Sequence, residues 1–561
     1  MKNAKKLIGL AAAMFAAGAA FSAVSVTAFA DGTWTDIGNA AVENTDYALD
    51  SSGNYTIYTG AGLAHLANVV NGGDSLEGKT VTLADDIEVE DDASSQNTWT
   101  PVGNNDNPFS GVFNGNNHTI SAYLQAENRD MGIFGTNAGS IENLTLDGSI
   151  MLYIDKYNED YGYDEYSLGL IAVNKGTISS CVNNSDISSY IKEIETSTEN
   201  GFNMNVGGIA GEVYAVESSA ANITECINNG YITCSNNDSN YSCNIGGICG
   251  SALVYGDNLE ISSCVNTCNV VGKSNTSYTD EESNDFVAAG GIAGAIARYG
   301  DEQLKAVIKN CANISSSAAV NIEKCSWGGG GGIAGWVYSS QVINCYNTQN
   351  VSVYPDADEA FAGGIAGQVK INSVIENCVN TGKNITGKST NSIVPELSSG
   401  TVNLCYASNN SGADISGILN SSLFDKSSGR LETPVTVNGS EISNVAEALN
   451  AYVAAHPDEG YKTWSSYDSF GKAEPLISSI VLRQIKPAEE NGNTSATAVV
   501  TNVSCSGLTV NKLTWEYNGL SAVYNDTALS GDTVFSFGII IPEFVEADSN
   551  SSPVGLNVTA E

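Results

Sequence analysis

The sequence predicts an all-β chain, a right-handed parallel β-helix (a solenoid) followed by a small Ig-like β-sandwich. Two short motifs, Gly-Gly-Ile-Ala-Gly and Ile-x-x-Cys-x-Asn, recur through the middle of the chain. Such internal repeats indicate a solenoid. From Ser478 onward the chain instead alternates apolar and polar residues in short stretches, a pattern typical of an antiparallel sandwich.

The glycine motif marks the start of each repeat. Its copies, of which the first two are weaker matches, begin at Met131, Gly169, Gly207, Gly246, Gly290, Gly331 and Gly363. The spacing varies between 32 and 44 residues, as expected when rungs share a core and differ in their loops. The motifs are rich in Ile and Val and lack a helical period, and paired glycines would break a helix, so the repeats are predicted to be strands.

The second motif predicts ladders of identical side chains, because rungs stack at the strand spacing of roughly 4.8 Å. One position is filled by cysteine in seven copies: Cys181, Cys226, Cys264, Cys311, Cys345, Cys378 and Cys405. An earlier copy has Leu144 there, which indicates a buried apolar position and a structural ladder. Stacked cysteines also fall within the Cα separation that disulfides tolerate, so oxidation between rungs stays an alternative.

Asparagine follows each of the first six cysteines by two residues, beginning with Asn183. We expect these amides to hydrogen-bond along the stack. The paired glycines are expected to supply either a positive φ or a close backbone approach at a corner.

The domain boundaries follow from these patterns. Residues 1–30 carry lysines, an apolar stretch and an Ala-Phe-Ala exit, which predicts a secretory signal peptide. We predict an N-terminal cap with the first rungs over 31–130, the repeat β-helix over 131–430, its C-terminal cap over 431–477 and the sandwich over 478–561. The mature chain is therefore expected to be secreted or on the cell surface, without a transmembrane segment.

Charge excludes one class of partner. The formal charge is −40, and removal of residues 1–30, which hold three lysines and no acid, makes it −43. Such a chain is not expected to bind nucleic acid or an acidic membrane surface.

Beyond the repeats, Trp99 to Gly103 reads WTPVG, and Phe109 to Ile120 reads FSGVFNGNNHTI. With the glycine motifs, these stretches resemble the GLUG-motif family of bacterial surface proteins over about residues 55 to 405. The resemblance implies a β-helix at the cell surface, with adhesion a common suggestion. Some relatives carry an IgA-cleaving metallopeptidase domain, whose zinc site needs a His-Glu-x-x-His helix. This chain has only His65, His118 and His456, so that half is not expected here.

The predicted ligand site is the insertion that reads YIDKYNEDYGYDEY, because tyrosine offers stacking area with a polar tip. Its candidate residues are Tyr153, Tyr157, Asp160, Tyr161, Tyr163, Asp164 and Tyr166. Similar acidic insertions at 192–199, 273–285 and 356–359 would form a ridge on one side of the rod. Ordinary solvated loops are the equal alternative.

No catalytic, metal or cofactor residues are predicted. Asp85, Asp86, Asp91 and Asp92 form the densest acidic group, and we expect a structural or solvating role for it. The predicted function is therefore non-enzymatic binding of a host or glycan ligand by loops of a β-helical rod. The alternative is a carbohydrate-active β-helix enzyme, a polysaccharide lyase or glycoside hydrolase.

Overall fold

In a computed structural model, the chain is almost entirely β, with long parallel sheets, an arrangement consistent with a parallel β-helix. The all-β prediction is thus confirmed at this level. The structure describes residues 33–470, apart from 92–97, 128, 156–162, 193–200, 217–220, 237–240, 275–285, 316–317, 358 and 410–413, together with strands between 481 and 560.

From Ser140 to Ser398, each rung passes through four sheets in the same order, and the next rung pairs with it in parallel. The first sheet contains Tyr47–Leu49, Tyr55–Ile57, Thr80–Leu83, Val112–Asn114, Ser140–Glu142, Thr177–Ser179, Ala221–Thr224, Leu259–Ser262, Ala306–Lys309, Gln341–Ile343, Val374–Glu376 and Thr401–Asn403. The opening pair of this sheet is antiparallel and the pairs after it are parallel.

The second sheet receives two short strands from most rungs. It contains Ile87–Glu90, Thr119–Glu127, Thr145–Ile154, Val182–Asn183, Asp186–Ile191, Ile227–Asn228, Ile232–Asn236, Val265–Asn266, Val270–Ser274, Ala312–Asn313, Ala319–Ile322, Tyr346–Asn347, Asn350–Val353, Val379–Asn380, Ile385–Thr386, Tyr406–Ser408, Ser422–Asp425, Arg430–Val437 and Ser440–Asn444. Its last two pairs are antiparallel, so the parallel stack ends there.

The third and fourth sheets lie on either side of the Gly-Gly-Ile turn. The third contains Tyr163–Leu168, Gly201–Gly207, Tyr241–Gly246, Phe286–Gly290, Trp327–Gly331, Glu359–Gly363 and Ser389–Asn391. The fourth contains Phe134–Asn137, Ile171–Asn174, Ala210–Ala215, Cys249–Val254, Ala293–Arg298, Ala334–Tyr338, Ala366–Lys370 and Glu396–Ser398.

The in-register stacking places like residues above one another in the core. In the first sheet, one inward position is filled by Ile178, Ile223, Ile261, Ile308, Val342 and Ile375. All six are fully buried. Because each aliphatic side chain packs on the ones above and below it, the repeat motif specifies a continuous apolar core.

A second column consists of buried asparagines whose amides are linked from rung to rung. Each Nδ2 donates to the Oδ1 of the next residue at 2.7–2.9 Å, in the order Asn183, Asn228, Asn266, Asn313, Asn347 and Asn380. Most of these side chains also bond to backbone two residues further on, for example Asn266 Nδ2 to the carbonyl of Cys268 at 2.9 Å. The ladder thereby satisfies a buried bend of the backbone.

The asparagine ladder explains the second glycine of each Gly-Gly pair. A Cβ on Gly291 would lie 2.2 Å from Cγ of Asn313, and one on Gly332 would lie 2.3 Å from Cγ of Asn347. Neither glycine has a positive φ. The sequence offered two reasons for the paired glycines, a positive φ or a close approach of the backbone. At the second glycine of the pair, the reason is close approach.

The cysteine column lies beside the asparagines. All seven members are fully buried and have free thiols. In four of these rungs, those of Cys226, Cys264, Cys311 and Cys345, the Sγ atom is 3.2–3.3 Å from the carbonyl oxygen two residues earlier. Burial raises the pKa of the Cys226, Cys311 and Cys345 thiols, which favours the neutral thiol over the reactive thiolate.

The N-terminal end is covered by two helices, α1 (Trp34–Ala40) and α2 (Gly60–Asn71). Leu63, Leu66 and Val70 of α2 are fully buried. Asp91 ties this end together, because its carboxylate accepts hydrogen bonds from Trp99 N at 2.6 Å and Trp34 Nε1 at 3.1 Å.

The C-terminal segment turns back along the side of the stack. After an antiparallel hairpin, α3 (Val445–Ala455) and the paired strands Trp464–Ser466 and Ser469–Phe470 pack on the outer side of the turn between the first and second sheets. Asn344 links them: its Nδ2 donates to the carbonyl of Lys462 at 2.9 Å, and its Oδ1 accepts from Trp464 Nε1 at 2.6 Å. A second apolar core therefore forms outside the rungs.

The strands beyond residue 480 pair antiparallel in two groups of three. One group contains Val481–Glu490, Asn493–Thr501 and Phe537–Ile541, and the other Cys505–Tyr517, Leu520–Gly531 and Asn557–Ala560. Among the described residues, none of the helices has both the length and the apolar character needed to cross a bilayer.

Candidate ligand-binding site

The predicted tyrosine insertion is only partly described. Tyr157, Asp160 and Tyr161 lie outside the described residues, as do the side chains of Tyr163 and Asp164, which belong to the strand Tyr163–Leu168. Most of the other acidic insertions, over 193–200 and 275–285, also lie outside them.

The two remaining candidates differ in position. Tyr166 is only 7% exposed and belongs to the apolar core, because its place in the third sheet faces inward with Met204. It is therefore a core residue and not a ligand contact. Tyr153 lies on the outer face of the second sheet and stacks on Tyr190, with ring centroids 5.7 Å apart and an interplanar angle of 7°. Tyr123 and Met151, on neighbouring strands, are exposed.

A larger surface lies where the outer faces of the third and fourth sheets meet at an angle, which we call the corner groove. A Cβ on Gly329 of the third sheet would lie 3.0 Å from Gly335 O and 3.5 Å from Gln368 Cγ, both in the fourth sheet. Outward-facing side chains at this corner are nevertheless buried, including Asn205, Ser251 and Gln368 at no more than 2% exposure. The side chains on the two outer faces therefore pack against one another along a corner that follows the rod axis.

The floor of the groove follows one register position of the fourth sheet. Glu212, Ser251, Ala295 and Trp336 are successive neighbours there. The inward neighbours on the same strands, such as Val213, are fully buried in the core. The floor is thus carboxylic at one end, small in the middle and aromatic at the other end.

A row of four tyrosines borders the fourth-sheet side of the groove, across four rungs. The ring centroids of Tyr214 and Tyr255 are 5.0 Å apart, those of Tyr255 and Tyr299 5.2 Å, and those of Tyr299 and Tyr338 5.5 Å. Tyr255 is 46% exposed. Because the rings follow the spacing of the rungs, the row offers one aromatic side chain per rung along the axis.

An aromatic cluster closes one end of the groove. Trp336 lies 5.5 Å from Tyr338 and 6.1 Å from Phe286, which belongs to the opposite, third-sheet side. Trp327 stands beside Phe286 in the register of the third sheet and is 45% exposed. The cluster therefore connects the two sides of the groove.

The other end is acidic. Glu165 Oε1 accepts from Asn203 Nδ2 at 2.7 Å and from Asn205 Nδ2 at 3.0 Å, and Asp130 Oδ1 accepts from Ser167 N at 2.8 Å. Glu212 is 9% exposed. Burial, with Glu165 and Asp130 nearby, raises the pKa of Glu212 to about 8.

Burial likewise raises the pKa of the Asp130 carboxyl, to about 6. Lys175 acts in the opposite direction and favours ionisation of both Asp130 and Glu212. A carboxyl group with a pKa near 8 is largely protonated at neutral pH, and can then donate a hydrogen bond.

A pH-dependent stability follows from Glu212. Its pKa is higher in the folded chain than the ordinary 4.5, so the folded state binds more protons between the two values. Its contribution to stability is present below about pH 4.5 and is lost as the pH rises through about 8. We expect the melting temperature of Glu212→Gln, relative to that of the unsubstituted protein, to rise as the pH increases from about 5 to 9. Thermal unfolding of both proteins over this pH range measures the difference. Melting temperatures that differ by the same amount at every pH would contradict this.

The three histidines lie apart and serve packing. His65 stacks on Tyr47 with centroids 4.0 Å apart, His118 Nδ1 is 3.3 Å from Asp86, and His456 packs on Tyr452. Within the described ranges, no three His, Cys, Asp or Glu side chains are grouped so that they could hold a metal ion.

The corner groove was not predicted from the sequence, although one signal for it exists. Tyr214 and Tyr338 follow the first glycine of their repeats by seven residues, and Tyr255 and Tyr299 follow theirs by nine. Recurrence of an aromatic residue near the end of the fourth-sheet strand, either within it or directly after it, would have predicted the row. The acidic end has no such signal, because Asp130, Glu165 and Glu212 occupy different positions in their repeats.

No family model matches the chain, and no curated protein matches it. Among solved structures, it is similar to a "putative immunoglobulin A1 protease" from Bacteroides ovatus, at 16% identity and a TM-score of 0.33, with 73% of this chain and 89% of that chain covered. Similarity at that TM-score defines neither the fold nor the activity of this chain.

Proposed function

We propose that this chain is a secreted or cell-surface binding protein without enzymatic activity, which presents a glycan-binding surface from a rigid rod. In this proposal the rod is a right-handed parallel β-helix of the GLUG-motif type, preceded by a signal peptide and followed by an Ig-like sandwich. The ligand is a glycan chain of the host or the surroundings.

The observation that carries the proposal is the tyrosine row of the corner groove. Carbohydrate rings pack on aromatic side chains while their hydroxyls bond to polar tips. A glycan chain repeats a similar ring at regular intervals, and the row repeats an aromatic residue once per rung. Tyr255, in the middle of the row, is 46% exposed, so its ring is accessible to such a chain.

The test is a glycan array followed by titration of the ligands it identifies. Replacing both Tyr255 and Tyr299 with alanine is expected to weaken binding at least about tenfold, because truncated aromatic contacts commonly cost more than about 1 kcal/mol. The matched control is Tyr58→Ala with Tyr231→Ala, two exposed tyrosines outside the groove and the insertion. Affinity unchanged by the first pair would exclude the groove.

The predicted insertion is tested in the same assay. A variant with Tyr157, Tyr161 and Tyr163 replaced by alanine should lose binding if the loop contributes contacts. If only the groove variant loses binding, the insertion is not part of the binding site. If only the insertion variant loses binding, the groove is not part of it.

A carbohydrate-active enzyme is the second candidate, favoured by one observation. Glu212 is a buried carboxyl with a raised pKa near a second carboxyl, Glu165, and glycosidases use such a pair as acid and base or nucleophile. A screen on pectic and mucin-type glycans separates the two functions. Turnover that is abolished in Glu212→Gln would replace the binding proposal.

A further inference from the structure

The acidic end of the corner groove has more hydrogen-bond acceptors than donors. Glu212 is 9% exposed and makes no hydrogen bond to any described residue. Asn203 donates its Nδ2 to Glu165, but its Oδ1 is buried without a partner. Buried acceptors are normally satisfied, so Asn203 Oδ1, together with the Glu212 carboxyl near the same Glu165, points to a donor that the described residues do not supply.

The charge at this end is also unbalanced. Glu165, Glu212 and Asp130 act on one another, and Lys175 is the one cation that acts on Glu212 among the described residues. The Nζ of Lys175 lies 3.4 Å from Asn105 Oδ1, so part of its hydrogen bonding is directed elsewhere. An added cation would relieve the repulsion between the carboxyl groups.

We propose that the acidic end of the corner groove is a subsite for the protonated amine of an amino sugar, within a glycan chain that lies along the tyrosine row. The inference rests on the proposed function and names the ligand class. An ammonium group has three donors and no acceptor. It can therefore donate hydrogen bonds to the Glu212 carboxylate, to Asn203 Oδ1 and to the Glu165 carboxylate. The adjoining Tyr214 ring then packs on the sugar.

A glycan fits these observations better than a basic peptide. The aromatic residues repeat over four rungs, whereas the described carboxyl groups that act on the row, Glu165 and Glu212, act on Tyr214 and Tyr255. A chain of similar rings with one critical amine matches that distribution, while an extended basic peptide would call for carboxylates at several rungs.

The site predicts proton release on binding. Glu212 is largely protonated when the groove is empty, and a bound ammonium group favours its carboxylate. Ionisation of the carboxyl releases one proton to the solvent. Calorimetry in two buffers with different ionisation enthalpies measures this proton.

The experiment compares two probes on the full chain: a chitosan hexamer, whose amines are free, and a chitin hexamer, whose amines are acetylated. We expect tighter binding of chitosan by at least about tenfold, because charge-assisted hydrogen bonds are roughly twice as strong as neutral ones. Glu212→Gln should abolish this preference and the proton release. Glu441→Gln, at an exposed residue of the C-terminal hairpin, should retain both.

Three results would overturn the subsite. Equal binding of the two hexamers would do so, and if that binding depended on Tyr255 and Tyr299 the proposed function would stand. A preference for chitosan that persists in Glu212→Gln would reflect general attraction to the acidic surface. Binding of a lysine hexapeptide that requires Glu212, without binding of chitosan, would assign the site to a basic peptide. If Glu212→Gln folds poorly, Glu165→Gln tests the same preference.

Discussion

Replacing Trp464 with alanine is expected to lower the free energy of unfolding by about 3–5 kcal/mol, the usual cost of truncating a buried tryptophan. The indole is 4% exposed and packs on Phe470 and Tyr346, with ring centroids 4.5 and 5.8 Å away. Its Nε1 also donates to Asn344 Oδ1 at 2.6 Å. The substitution therefore removes a hydrogen bond and opens the second core at once.

Chemical denaturation measures the loss, and limited proteolysis shows where it occurs. We expect new cleavage first between 456 and 470, because this segment is held to the rungs largely through Trp464, Lys462 and Asn344. Trp327→Ala is the matched control, since that indole is 45% exposed. An equal loss of stability in the two variants would contradict a special role for Trp464.

Asn266→Ala is the second substitution with a large expected effect. Asn266 accepts from Asn228 Nδ2 at 2.8 Å and donates to Asn313 Oδ1 at 2.8 Å and to Cys268 O at 2.9 Å. Alanine leaves these buried groups without a partner, and each unsatisfied group costs about 1–3 kcal/mol. We expect a loss of at least about 3 kcal/mol in the free energy of unfolding.

Asn229→Ala provides the comparison on an adjacent, partly exposed column. Asn229 bonds to Asn184 and Thr267 through its side chain at 2.9 and 2.8 Å, but water can replace these bonds. Its substitution should cost less than about 1 kcal/mol. If thermal and denaturant unfolding show the same loss for both variants, the buried ladder does not contribute as described.

The core of the rungs could be predicted because each of its columns repeats one residue type. The Asn183 to Asn380 column, for example, stands two residues after each of the first six cysteines, and the structure links its amides in that order. The repeated motif also predicted strands in place of helices. What made these predictions possible is that a stacked position imposes the same packing on every rung.

The groove and the lateral C-terminal segment could not be predicted in this way, because they depend on contacts between unlike positions. Trp464 meets Asn344 across 120 residues of sequence, and Asn205 meets Glu165 across 40. Neither pair belongs to the repeated motif. Tyr166 shows a limit of predicting a binding site from composition. Strand alternation places the ring of Tyr166 in the core, and a tyrosine-rich composition does not reveal which tyrosines face inward.

The asparagine ladder also gives the rod a direction. Every amide donates toward the C-terminal end and accepts from the N-terminal side, from Asn183 to Asn380. The amide dipoles therefore add along the axis, and each bond polarises the next. The series stops where Ala407 occupies the equivalent position in the following rung. The two ends of this column are consequently electrically unlike, with the positive end of its dipole at Asn380.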